Sequence, residues 1–235
     1  MRLGLGFGRA LSGAGCGRAA AVGAALLVAF GSTARSRWAA VPVDVESPPA
    51  VASSSELRAD LEALLTGPRW TVEQRSRVSR AIEEEADAAG LDPLLVMAVL
   101  LVESRANDLA VSDRGAIGLM QLRPPTMRFI AGAEGVGLPP GDASLSDPAL
   151  NVRLGIRYLD RLHRAFGDLG LALVAYNAGP HRVSELRRAG KPIPERLRAY
   201  PRKVRSTYLR LVTRLGGDVA LAARGFPLGP QVAAR

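Results

Sequence analysis

The chain has a single cysteine, Cys16, in 235 residues. That excludes a disulfide framework or a thiolate metal cluster. Histidine is almost as scarce, with only His163 and His181. No His, Cys, Asp or Glu grouping has metal-ligand spacing, so neither a metal nor another cofactor is expected. Aromatic residues make up 5% of the chain, so a core must be built from Leu, Val, Ile and Ala, which suits packed helices. There is no alternating apolar/polar pattern of useful length and no internal repeat. The apolar stretch at residues 19–31 is 13 residues long, well short of the ~20 that cross a bilayer as a helix. Lysine occurs only as Lys191 and Lys203, so the formal charge of +9 is carried almost wholly by arginine.

That charge is concentrated. Eleven basic residues, the first Arg182 and the last Arg214, stand against Glu185 and Glu195, so this stretch alone accounts for +9. A solvated arginine-rich face would explain it without any partner. If a partner is involved, it is anionic: an acidic wall polymer or phospholipid headgroups. Nucleic acid is not expected, because the export pattern of residues 1–34 argues against such a partner.

The length suits one domain with appendages. Arg2, Arg9 and Arg18 precede the apolar stretch, and Ser32-Thr33-Ala34 follows it. This is the pattern of an export signal cleaved after Ala34, or an anchor if it stays uncleaved. Cys16 lies before the apolar stretch rather than after it, with Gly13 three positions earlier, so lipidation is rejected. The chain is therefore expected to be exported, and periplasmic or associated with the cell envelope. Residues 35–55 are rich in Pro, Ser and Ala without periodicity and read as a flexible linker. A first helix is expected over 56–65, capped by Ser55. A second opens on the Thr71/Gln74 capping box and runs to Ala89, closed by Gly90. These helices, 56–88, are expected to pack on a catalytic region at 89–214, followed by a tail at 215–235. Asp92-Pro93 starts a third helix. Its residues 94–102 are apolar all round and must lie inside the domain.

Glu103 follows that run directly. Desolvation and the negative pole of the helix both disfavour its charged form, so its pKa is expected to rise. A carboxyl kept protonated near neutral pH is what a general acid requires. Taken alone, a glutamate at a frayed helix end reaching water would fit equally well.

The residues around it decide otherwise. Glu103-Ser104 is followed by Asn107, Ala110, Val111 and Ser112, then by 115–122, Gly-Ala-Ile-Gly-Leu-Met-Gln-Leu, with Pro124 and Thr126 beyond. Farther on stand Asn151, Gly155, Tyr158, Leu159 and Leu162, then 175–180, Ala-Tyr-Asn-Ala-Gly-Pro, and Val183. Over roughly residues 89–208 this series resembles the catalytic domain of the soluble lytic transglycosylases, the family related to goose-type lysozyme. The resemblance implies an all-α, lysozyme-like, predominantly helical single domain acting on peptidoglycan glycan strands. Glu103 falls on the family's sole acid/base. Ser112, Met120, Gln121, Tyr176 and Asn177 fall on substrate-binding positions, with Tyr176 in contact with the glutamate and Met120 in the cleft wall. Ser104 either caps or orients the helix end.

Several positions depart from the family pattern. Ala106 stands where an aromatic is common, Asp108 where proline is usual, and Arg123 where an apolar residue lines the cleft. Val204 and Arg205 replace a Glu-Thr pair, although Tyr208 is present. Asp108 offers a second carboxylate that could position water, which would make the chain a muramidase-type hydrolase. A wall-binding or secretion-apparatus accessory role is a third expectation, though a pure scaffold has no need of Glu103, Ser112, Gln121 and Tyr176 together. His163 is expected to face solvent and His181 to lie near the cleft.

Overall fold

The computed structural model describes residues 54–67, 69–138 and 147–226. The signal segment, nearly all of the linker, Cys16 and the end of the tail lie outside these residues. Among the described residues the chain is all-α: α1 (Ser54–Leu64), α2 (Val72–Ala89), α3 (Pro93–Glu103), α4 (Pro124–Ala133), α5 (Pro148–Phe166), α6 (Leu169–Ala178), α7 (Pro180–Arg188), α8 (Glu195–Arg214) and α9 (Val219–Gly225). The bridges Val111 with Ile117 and Ile117 with Leu122 are isolated and form no strand.

The helix ends follow from side-chain chemistry. At α2, Thr71 Oγ1 accepts from the Gln74 N–H and Gln74 Oε1 from the Thr71 N–H, each at 3.1 Å, so two backbone donors that the helix cannot satisfy are reciprocally paired. Gly90 closes α2 at φ 63°, a left-handed conformation that a side chain would strain. Asp92 caps α3 through a 2.7 Å bond from the Leu94 N–H, with Pro93 in the first turn. Asp147 and Asp168 cap α5 and α6 in the same way.

Two helices are apolar all round and form the centre. In α3 every residue from Leu95 to Leu100 is buried, and in α6 every residue from Gly170 to Ala175. α3 packs along α8, α2 along α5, and α5 along α6. Leu61, Leu65, Val78 and Ile82 of α1 and α2 belong to the same core as Met97, Leu119, Ile156 and Val204. Residues 215–226, expected as tail, carry α9 and end in Phe226, which is 1% exposed. Its ring meets Tyr208 at 6.2 Å and its carbonyl accepts from Arg205 Nε at 3.1 Å.

The α2–α5 seam is held by charge. Arg157 grips Glu85 with Nε and Nη2 at 2.7 and 2.9 Å, while Arg153 reaches Glu85 and Glu84 at 3.0 and 2.8 Å. Glu85 is itself only 6% exposed, so its carboxylate depends on these forked donors. Glu85→Ala should lower unfolding free energy by about 2 kcal/mol, the scale of hydrogen bonds to a charged group. An unchanged denaturant midpoint would show that the clamp contributes nothing.

Candidate active site

α3 delivers Glu103 to the edge of the core as its last residue, half-buried. Burial pushes its carboxyl above the usual glutamate range, opposed by a hydrogen bond from Tyr200 and the positive charge of Lys203. Tyr200 Oη donates to Glu103 Oε1 at 2.5 Å from α8, 97 residues farther along the chain. The Tyr200 hydroxyl is held well above its ordinary range by burial and by the neighbouring Glu103 charge, so it remains a donor. Among the described residues, the hydrogen bond to the Glu103 carboxyl comes from Tyr200 and not from a second acid.

Beyond Glu103 the chain turns sharply. Arg105 and Ala106 adopt φ 56° and 60°, unusual for residues with side chains. Trp70, from the connection between α1 and α2, braces this turn: its Nε1 donates to the Ala106 carbonyl at 3.0 Å. Ser104 is buried and its hydroxyl donates to the Leu100 carbonyl at 3.2 Å, so it caps α3.

Residues 110–122 fold back as a tight loop that α5 staples in place. Asn151 is fully buried, accepting from the Met120 N–H at 2.8 Å and donating to the Ile117 carbonyl at 3.0 Å. Gly118, at φ 77°, allows this approach: a Cβ there would stand 2.6 Å from Asn151 Nδ2. Ser112 accepts the Ala116 N–H at 3.0 Å and thereby fixes the turn before Gly118. Gln121, at φ 48°, uses both amide hydrogens internally, on the Ala110 and Gly118 carbonyls at 3.0 and 2.9 Å. What it can offer a ligand is therefore its carbonyl oxygen, an acceptor for an N–H or O–H group.

One expectation needs correction. Met120 does not line a cleft wall: it is fully buried, packed into the niche left by Gly155, where a Cβ would lie 2.6 Å from the Met120 Cβ and Cγ. Tyr176 has a hydrogen-bond partner other than the glutamate. Its hydroxyl donates to the Met120 carbonyl at 2.7 Å, and its ring lies 5.3 Å from that of Tyr158. Tyr176 still feels the Glu103 charge, which together with burial raises its own pKa well above the ordinary range. Tyr200, the residue that does bind the acid, was not singled out in the sequence. Its only signal there is a tyrosine on the flank of an amphipathic helix, which must find a polar partner when half-buried. Asn177 and Arg123 are exposed, and His181 pairs with Glu185 at 3.4 Å.

The Gly155 niche makes a testable contrast. Gly155→Ala must displace Met120 and with it the carbonyl that holds Tyr176, at a cost of about 1–3 kcal/mol for overpacking. Gly132→Ala, in α4 with open space around the position, should instead stabilise by about 0.5–1 kcal/mol. Thermal denaturation of the two variants compares them; equal shifts would refute the packing account.

Residues 80–193 match the family described as the transglycosylase SLT domain. Over this segment, just under half of its length, the chain is similar to that domain. Relatives include the endo-type membrane-bound lytic murein transglycosylase A of two Klebsiella pneumoniae strains, 38% identical over 102 residues, which cover 41% of this chain and 50% of the relative. The chain thus matches about half the length of these relatives. An inactive mutant of the lytic transglycosylase Slt from Pseudomonas aeruginosa superposes with a TM-score of 0.52 at 30% identity, over 58% of this chain and 24% of that one. The 70 kDa soluble lytic transglycosylase of Escherichia coli does so with a TM-score of 0.56 at 20% identity, over 72% of this chain and 31% of that one, a likeness of fold. The all-α, lysozyme-like architecture of the SLT domain is therefore the one the sequence led us to expect. Tyr200 and Lys203 lie beyond the matched segment.

Proposed function

We propose that this chain is a peptidoglycan lytic transglycosylase, cleaving the β-1,4 bond between N-acetylmuramic acid and N-acetylglucosamine with Glu103 as the one acid and base. The observation that carries this reading is a half-buried carboxyl at the end of the all-apolar α3, raised by desolvation and hydrogen-bonded by a tyrosine. Protonated Glu103 gives its proton to the glycosidic oxygen, and the bond to C1 breaks through an oxocarbenium-like state. The resulting carboxylate, stabilised by Tyr200 Oη, takes the proton from the muramyl C6 hydroxyl. The C6 oxygen closes on C1 to form the 1,6-anhydro ring, and Glu103 is again protonated. The substrate's 2-acetamido group can stabilise C1, so a second enzymic carboxylate is unnecessary. The Gln121 carbonyl oxygen suits an acetamido N–H, with Ser112 and Asn177 nearby in the sequence motifs and available to the sugar.

The names of the Klebsiella relatives and the match to the SLT family support the same reaction class. They also support an envelope location, which agrees with the export signal read at residues 1–34. No described helix is long and apolar enough to cross a membrane. The hydrolase reading needs water in place of the C6 hydroxyl and a base such as Asp108 to activate it.

Digestion of purified sacculi, with mass spectrometry of the released muropeptides, tests the proposal. Anhydromuramyl ends are expected. Reducing ends would convert the assignment to a muramidase, and no release at all would leave an accessory wall-binding protein.

A further inference from the structure

α8 presents two different flanks. Leu197, Pro201, Val204, Tyr208 and Leu211 face the core. On one side of them, the arginines have partners within the chain. Arg198 and Arg202 pair with Glu195, and Arg205 donates to the Phe226 carbonyl. On the other side lie Arg196, Tyr200, Lys203 and Arg210, at intervals of four, three and seven residues, which put them on one stripe of the helix. Tyr200 is the residue that touches Glu103, so the Arg196–Lys203 part of this stripe borders the acid, while Arg210 lies toward the other end of α3, where Tyr208 donates to Asp92. Arg196, Lys203 and Arg210 are exposed. Arg210 bonds only to the hydroxyls of Ser206 and Thr207, and none of the three has a carboxylate partner among the described residues. They recur every seven residues, about 10.5 Å apart along the axis.

Arg196 and Lys203 flank the residue that donates to Glu103, and Arg210 continues the same stripe along α3; exposed cations in such a row suit a ligand that carries anions along its length. We propose that Arg196, Lys203 and Arg210 bind carboxylates carried by the glycan strand next to the bond being cleaved, and so select anionic strands over neutral ones. This rests on the lytic transglycosylase reading above and adds a substrate preference to it. In peptidoglycan such a carboxylate has two sources: the stem peptide, or the lactyl group of muramic acid once that peptide has been removed. Guanidinium and ammonium groups engage either, and the attraction is screened by salt over about 10 Å at 0.1 M.

The test compares initial rates of soluble product release by the full chain on three substrates. These are intact sacculi, amidase-stripped strands that retain lactyl carboxylates, and sacculi whose carboxylates have been capped with ethanolamine by carbodiimide coupling. The wild-type chain should cleave intact sacculi at least about ten-fold faster than capped ones at low ionic strength, a gap that narrows as salt is raised. Stripped strands cleaved as fast as intact ones assign the lactyl carboxylate; stripped strands as slow as capped ones assign the stem peptide. In the Arg196→Gln/Lys203→Gln/Arg210→Gln variant the intact-to-capped ratio should fall towards one, with the change in KM. Arg196→Gln alone, at an exposed side chain without a partner, should move the ratio in the same direction without endangering the fold.

Wild-type chain that treats intact and capped sacculi alike overturns the proposal, as does a triple variant that keeps the ratio. So does binding to anionic phospholipid vesicles without preference between the two kinds of sacculi. Failure of the lytic reading would look different: no soluble product from any of the three substrates. Co-sedimentation of the Glu103→Gln chain with intact and capped sacculi would still measure the charge preference in that case.

Discussion

Glu103→Gln should lower the release of soluble muropeptides by about 10³-fold or more, because general acid and general base functions are lost together. The amide keeps the shape of the side chain but cannot pass a proton. The same substitution also has a stability signature. Burial raises the Glu103 carboxyl above its ordinary range, so the folded chain holds that proton more tightly than the unfolded chain does. The sign follows from proton linkage: stability is greatest below the ordinary carboxylate range and is lost as pH rises through the folded-state value. Glutamine, neutral throughout, escapes this loss. At neutral pH the variant should therefore be at least as stable as the wild type, and that advantage should vanish at acidic pH. Denaturant midpoints at both pH values check this. A variant that is inactive but also destabilised at neutral pH would mean that activity was lost through the fold.

Tyr200→Phe should be the next largest, about 10–100-fold in kcat/KM, the worth of a hydrogen bond to a charged group. Tyr200 donates only to Glu103, so its loss weakens the carboxylate that appears after the proton has been given up. Removing a donor to the charged form also lifts the Glu103 pKa further. The alkaline limb of the pH–rate profile, where Glu103 must still be protonated, should accordingly move to higher pH while the plateau falls. Tyr176→Phe provides the contrast, since its hydroxyl serves the Met120 carbonyl. It should leave the position of that limb much closer to wild type. Equal displacement by both variants would contradict the hydrogen-bond assignment.

Local chemistry made much of this architecture legible. The capping box at Thr71, the Asp92-Pro93 start and the all-apolar stretch before Glu103 specify helix ends and burial by themselves, and the structure places α2 and α3 accordingly. The position of Glu103 was readable for the same reason. What local chemistry could not supply was the partner of each polar group. Tyr200 and Tyr176 are both tyrosines on helices facing the same acid, and only the packing of α8 against α3 decides which hydroxyl reaches it. Met120 fell into the motif as a cleft residue, but the absence of a side chain at Gly155, 35 residues farther on, draws it inside. Residues 215–226 lack a strong helix pattern, yet Phe226 anchors them because α8 offers it Tyr208 and Arg205.

The brace from Trp70 to Ala106 bears on which residues surround Glu103. Its indole supports the backbone three residues past Glu103, yet it precedes the family-matched segment 80–193, and Tyr200 follows that segment. A fragment trimmed to those limits would keep Glu103 but lose both the indole that braces the turn after it and the hydroxyl that donates to its carboxylate. The surroundings of Glu103 therefore draw on residues outside the matched segment on both sides. Trp70 also places an intrinsic fluorophore against the turn that follows Glu103, so its emission reports on any ligand that shifts that turn.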